Sequence, residues 1–102
     1  MDYPELALHV GGRALTHGSG GTRAVLDPGS GRTLAELPLA GAAELAEAAD
    51  TARRGFLGWR AKSALDRSNV LRRAGELMRQ RSRDIAAVLT LEQGKPLAES
   101  TR

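Results

Sequence analysis

Apolar and polar positions divide the chain into two stretches with different periods. Over the first forty residues the signal is short and alternating. Leu6, Leu8 and Val10 alternate with Ala7 and His9, the period-2 pattern of a half-buried strand. Gly11-Gly12 is a two-residue turn signal that joins this strand to Arg13-Ala14-Leu15 as a hairpin. Gly18-Ser19-Gly20-Gly21 reads as a loop, and Ala24-Val25-Leu26 is a short apolar run. Asp27-Pro28-Gly29-Ser30-Gly31 is a second turn, in which proline fixes φ and glycine accepts positive φ. Thr33 to Leu37 is predicted as the next strand, ended by Pro38.

From residue 41 the period lengthens to that of a helix. Gly41 serves as an N-cap, with Glu44 three residues later in the manner of a capping box. Leu45, Ala48, Ala49, Ala52 and Phe56 mark one face, and Gly58-Trp59 are expected to close this helix. Ser63 and Asp66 form a second box ahead of a stripe of Val70, Leu71, Ala74, Leu77 and Met78. Ser82 is expected to cap a third helix carrying Ile85, Val88 and Leu89, with Gly94 just past its end. Pro96-Leu97-Ala98-Glu99 reads as the opening turn of another helix with proline at its first position.

The expected organisation is one segment over 1–102. It comprises a strand and loop region over about 1–40, a helical region over 41–95, and the start of a truncated helix over 96–102. A chain that stops one turn into a helix reads as a piece of something larger. Composition strengthens that expectation. Of 42 apolar residues 17 are Ala, and Tyr3, Phe56 and Trp59 are the only aromatics. Aromatic side chains bury the most area per residue, so an Ala-rich chain of this size is expected to be marginally stable alone. The missing core would come from more polypeptide or from a partner subunit.

Charge and chemistry narrow the picture. The net charge is +3, and six arginines fall between Arg67 and Arg83. Glu76 lies four residues after Arg72 and three before Arg79, the spacing of helical ion pairs. No aromatic residue is interleaved with them for base stacking, so a nucleic-acid partner is not expected. The chain has no Cys, which excludes disulfides, thiolate metal sites and a Cys nucleophile within it. The acidic start lacks a basic region before an apolar run, and no apolar stretch approaches the roughly 20 residues that span a bilayer. No membrane partner is expected, and the composition fits a cytoplasmic protein. His9 and His17 have no acidic partner at ligand spacing and read as a strand and a loop histidine. Gly18-Ser19-Gly20-Gly21-Thr22 lacks the lysine of a phosphate loop. Gly94-Lys95 ends a helix, the wrong end for binding an anion.

The most specific string is Leu89-Thr90-Leu91-Glu92-Gln93-Gly94-Lys95-Pro96-Leu97-Ala98-Glu99. It resembles the "LTxExGKPLxEA" segment near the start of aldehyde dehydrogenases. The match extends backward in order. Leu8 to Gly12 resembles that family's opening strand and turn, and Asp27 to Gly31 its "NPATG" turn. Leu34 to Pro38 is similar to "IAxVP", and Ala48 to Trp59 to "AVxAAxxAFxxW". Arg67 with Leu71 and Leu77 is similar to "ERxxxLxxxxxL". Asp27 replaces Asn and keeps the turn-forming role, Asp66 replaces Glu and keeps the capping role, and Gly29 replaces Ala.

This resemblance implies an α/β fold, aldehyde dehydrogenase-like in its amino-terminal part only. Short strands of an oligomerisation subdomain would precede three α-helices. It implies a fragment of an NAD(P)-dependent enzyme that oxidises an aldehyde or semialdehyde to the acid. "LEQGKPLAE" is most similar to succinate-semialdehyde dehydrogenases. In that family a Cys thiolate attacks the aldehyde, hydride leaves to the cofactor, and a Glu-activated water hydrolyses the thioester. Without the Cys, no catalytic or cofactor-binding residue carries over. NAD or NADP belongs to the complete enzyme, and none is expected on this fragment alone. The implied partners are the remainder of the enzyme or like subunits in a homo-oligomer. Some family members hold a monovalent cation on carbonyls before the "NP" turn and on the acid of the "LExGK" string. Those positions are Val25, Leu26 and Glu92, and hard cations favour such oxygens. The alternative is a short non-catalytic interaction module that docks onto full-length relatives through exposed strand edges.

Overall fold

A computed structural model of the chain describes residues 3–101. Four short strands precede the helices: β1 Leu8–Val10, β2 Arg13–Leu15, β3 Thr22–Leu26 and β4 Thr33–Pro38. Three longer helices follow, α1 Ala42–Ala61, α2 Ala64–Gln80 and α3 Ser82–Gln93, and then a single turn, α4 Leu97–Ser100. The strands make two separate two-stranded sheets, β1 with β2 and β3 with β4. The chain falls into two compact units. Residues 3–25 and 33–61 form one, and residues 26–32 and 62–101 the other.

In the first unit, β1 and β2 pair antiparallel with Leu8 opposite Leu15, His9 opposite Ala14 and Val10 opposite Arg13. Gly11 and Gly12 turn the chain at φ 57° and 78°, the doubly positive turn whose twist matches a hairpin. β1 packs on α1, and Val10 is buried there. Thr51 of α1 lies against Gly11 and donates its hydroxyl hydrogen to the Glu47 carbonyl at 2.9 Å. Arg13 pairs with Glu47.

The start of α1 is tied down by one carboxylate. Glu44 accepts from the Gly41 amide at 2.7 Å, half of the expected capping box. It also accepts from the Ser19 amide at 3.1 Å and the Ser19 hydroxyl at 2.5 Å, 25 residues away in sequence. These donors, the Ser19 hydroxyl foremost, push the Glu44 carboxyl down to about 2 from 4.5. The loop that carries Ser19 runs against backbone. The Gly20 amide donates to the Leu39 carbonyl, and the Leu39 amide to that of Gly21, both at 2.9 Å. A Cβ on Gly18 would sit 2.1 Å from the Leu39 oxygen, so the loop approaches too closely for a side chain.

In the second unit, Ser63 caps α2. Its hydroxyl accepts from the Asp66 amide at 3.0 Å and donates to the Asp66 carboxylate at 2.8 Å. Ala86 of α3 is buried at 1% exposure. At the end of α3, Gly94 adopts φ 68° and its amide donates to the Thr90 carbonyl at 2.8 Å. Thr90 and Ser100 hydroxyls lie 3.0 Å apart, joining α3 to α4. Pro28 packs over Gly94, 3.1 Å from where a Cβ would stand.

Three helix boundaries differ from the sequence expectation. Gly58 and Trp59 lie inside α1, which runs two residues beyond Trp59 to Ala61. A single glycine lowers helix stability only modestly, and nothing nearby replaces its backbone bonds. Ser82 does not cap α3 but is its first residue. The Arg81 amide still reaches the Leu77 carbonyl and the Arg81 carbonyl already accepts from Ile85, so Arg81 both ends α2 and stands as the N-cap of α3, without a side-chain capping bond. Pro96 stands just before α4, at φ −56° and ψ 140°, rather than as its first residue.

The helical stripes form but are left uncovered. Leu45 and Phe56 of α1 are 61% and 59% exposed, and Leu71 and Met78 of α2 are 65% and 63% exposed. Val10, Pro38 and Ala86 are the buried residues among those described, and none is large.

Two expected outcomes follow from these contacts. Glu44 contributes stability that is fully present above pH 4.5 and lost as the pH falls toward about 2, because its folded pKa lies below its ordinary value. The Ser19 and Gly41 amide resonances should therefore titrate well below 4.5 by NMR, and Ser19→Ala should move that midpoint upward; a midpoint at the ordinary value in the native chain would remove the tie. Gly94→Ala should destabilise the chain by about 1–2 kcal/mol in urea unfolding, since alanine resists the left-handed backbone. An unchanged urea midpoint would contradict the Pro28 contact and the turn geometry together.

Candidate functional site

The turn after β3 is built on Asp27. Its carboxylate accepts from the Ser30 hydroxyl at 2.6 Å and the Gly29 amide at 2.8 Å. These bonds, the Ser30 hydroxyl first, hold the carboxyl below its ordinary value. The Asp27 amide donates to the Arg32 carbonyl at 2.9 Å, and the Gly31 amide to the Asp27 carbonyl at 2.7 Å. Asp27 thus supplies the turn that the "NP" position requires. Leu26 immediately precedes it as the last residue of β3.

Glu92 lies in the last turn of α3, exposed, two residues before the Gly94 that Pro28 covers. The structure therefore brings Leu26, the Asp27 turn and Glu92 into one unit. Val25, half-buried, belongs to the other unit. Two carbonyls and one carboxylate are the donors a hard monovalent cation takes.

The remaining sequence candidates are not drawn together. His9 is exposed on β1, and His17 Nδ1 lies 3.0 Å from the Thr16 hydroxyl. Among the described residues no group of three or more His, Cys, Asp or Glu is placed to hold a metal. No helix of the described residues is long and apolar enough to cross a membrane.

The glycine-rich loop does not fit a nucleotide phosphate. Ser19 directs both its amide and its hydroxyl to the Glu44 carboxylate, so the donors that would cradle an anion already hold one. Gly18 and Gly20 press against the Leu39 and Ala40 carbonyls, a negative and crowded surface. This loop thus offers no seat for a pyrophosphate, and the chain has no thiol to act as a nucleophile.

Sequence reasoning missed two features. Ser19 as the partner of Glu44 leaves no local trace across 25 residues. Arg67 carries a buried Nε with no hydrogen-bond partner among the described residues, and no spacing rule marks it.

The comparisons with known proteins agree with this geometry. The aldehyde dehydrogenase family profile matches residues 15–102. An E. coli NADP-dependent enzyme is 38% identical at a TM-score of 0.88, covering 97% of this chain and 20% of that one. An aldehyde dehydrogenase from Brucella melitensis biovar abortus 2308 is 35% identical at 0.89, again covering 97% and 20%. An NAD-dependent aldehyde dehydrogenase from Sinorhizobium meliloti is 28% identical at 0.86, covering 94% and 20%. The chain spans about a fifth of the length of these structures, the amino-terminal part, and its four strands and three main helices are theirs. By the profile match and the shared architecture, this chain belongs to the aldehyde dehydrogenase family.

Proposed function

We propose that the chain serves as the amino-terminal part of an NAD(P)-linked enzyme that oxidises an aldehyde to a carboxylic acid. The observation that carries this reading is the family match over residues 15–102 in a chain with no Cys. The nucleophile and the cofactor site then lie in polypeptide outside these 102 residues, and the chain's task is structural. It presents uncovered helical faces on which a larger body packs, within one subunit and in a homo-oligomer. The relatives include one NADP-dependent and one NAD-dependent enzyme, so both cofactors belong in the test. The string Leu91-Glu92-Gln93-Gly94-Lys95-Pro96-Leu97-Ala98-Glu99, with its resemblance to succinate-semialdehyde dehydrogenases, makes succinate semialdehyde the first substrate to try.

Within this reading the resemblance makes the Val25 and Leu26 carbonyls and the Glu92 carboxylate candidate ligands for a sodium or potassium ion. The Pro28 contact with Gly94 supports it, by fixing the turn after Leu26 beside the end of α3. A second reading, a docking module for full-length relatives, draws on the same exposed faces. It predicts a stable complex when the chain is mixed with an intact family member.

The purified chain should reduce neither NAD nor NADP with succinate semialdehyde, and measurable turnover would refute the structural role. A chimera with this chain in place of the matching segment of the E. coli relative should oxidise an aldehyde. A folded but inactive chimera would count against the reading. Sodium or potassium should raise the thermal midpoint of the chain, and Glu92→Ala should abolish that rise. A cation effect untouched by the substitution would sink the site.

A further inference from the structure

Asp27 and Pro28 are joined in the turn after β3, where the family string has Asn before the proline. Asp27 is half-buried, and residues 28–32 are exposed to water. The dipeptide is chemically unusual. A prolyl nitrogen has no N–H and three carbon substituents, so it is more basic than an ordinary amide nitrogen and a better leaving group. An aspartate side chain has the length to reach its own main-chain carbonyl carbon and close a five-membered ring. An asparagine amide at the same place is a poorer nucleophile, so this chemistry belongs to the departure from the family string.

The turn holds both reacting parts. The Asp27 carboxylate accepts from the Gly29 amide at 2.8 Å and from the Ser30 hydroxyl at 2.6 Å. Gly29 lies beyond Pro28, so these bonds fold the carboxylate back alongside the Asp27–Pro28 bond. The Asp27 carbonyl oxygen accepts from the Gly31 amide at 2.7 Å. A donor there favours attack at the carbonyl carbon, because the oxygen gains negative charge as the new bond forms. We propose that the Asp27–Pro28 peptide bond is a self-cleavage site, with the Asp27 carboxylate as nucleophile and the Gly31 amide as oxyanion donor. A carboxylate oxygen bonds to the Asp27 carbonyl carbon, and the bond from that carbon to the Pro28 nitrogen breaks. Its electron pair leaves with the nitrogen, which takes a proton from solvent. Water then opens the cyclic anhydride left on Asp27, so the net change is hydrolysis of one peptide bond. The cut parts β3 from β4 in sequence, while their pairing and the packing of β1 on α1 span it.

The test incubates the full chain at one mildly acid pH, in water and in urea. Mass spectrometry follows the products, and circular dichroism follows the intact chain. Fragments ending at Asp27 and beginning at Pro28 should accumulate about tenfold faster in water than in urea, because the folded turn supplies orientation and the Gly31 donor. The rate constant should not change on dilution, which separates an intramolecular step from a contaminating protease. Asp27→Asn keeps an oxygen for the Gly29 amide and should lose cleavage by about tenfold with helix content unchanged. Asp27→Glu keeps the charge but lengthens the reach by one carbon, and should lose it to a similar degree. Absence of the cut, equal rates in water and urea, a rate that falls on dilution, or undiminished cleavage in either variant would each overturn the proposal. The inference stands apart from aldehyde oxidation, and none of these readouts depends on it.

Discussion

Apolar burial is the constraint under which every other part of this structure operates. Val10, Pro38 and Ala86 are the side chains it encloses among the described residues, and none is large. Ala supplies 17 of the 42 apolar residues, so even well-formed helices have little to bury against one another. Order is instead carried by polar contacts at element ends. Glu44 gathers three donors at the start of α1, Ser63 and Asp66 exchange bonds at the start of α2, and Asp27 folds a turn around its own carboxylate. Such contacts fix where elements begin and how the chain turns. Each is worth little net, because these groups lie in water and water is given up in forming the bond. They specify local shape far better than they hold the whole together.

That division explains which features the sequence disclosed. The Gly11-Gly12 hairpin, the Ser63–Asp66 cap and the Gly94 terminus are all legible, because each depends on residues within four positions of one another. The end of α1 was misplaced because Gly58 and Trp59 resemble a stop, and a helix ends only when another arrangement satisfies its carbonyls. The Arg81 junction follows the same rule: Ser82 has capping chemistry, but the cap position falls one residue earlier, on Arg81, whose side chain makes no capping bond. Ser19 with Glu44 and the orphaned Nε of Arg67 depend on the folded arrangement, which spacing does not encode. The candidate cation residues stand apart again. Neither periodicity nor composition points to Val25, Leu26 or Glu92, and resemblance alone suggested them.

The glycine-rich loop shows how one composition serves opposite purposes. Gly18-Ser19-Gly20-Gly21 could have cradled an anion with free amides. Here the anion is intramolecular. Glu44 occupies the Ser19 donors, and the glycines bring the loop within touching distance of the Leu39 and Ala40 carbonyls. The depressed pKa of Glu44 records the same fact from the other side, since a carboxylate so well supplied with donors resists a proton. A glycine-rich loop without the lysine of a phosphate loop is thus a fastening.

The exposed helical faces then take on a definite energetic meaning. Leu45, Phe56, Leu57, Leu65, Val70, Leu71 and Met78 are each at least half exposed. Fully burying a side chain of this kind gains about 1.5–3 kcal/mol, whereas a whole domain has a margin of about 5–15 kcal/mol. A few such contacts with a covering body would be comparable to the whole stability margin of a domain. The folded state would then depend on occupancy of those faces, rising with the concentration and affinity of whatever binds them. Apolar contact of this kind has little direction. Register on such a body would have to come from polar groups, as the element ends of this chain already take theirs from Glu44, Ser63 and Asp27.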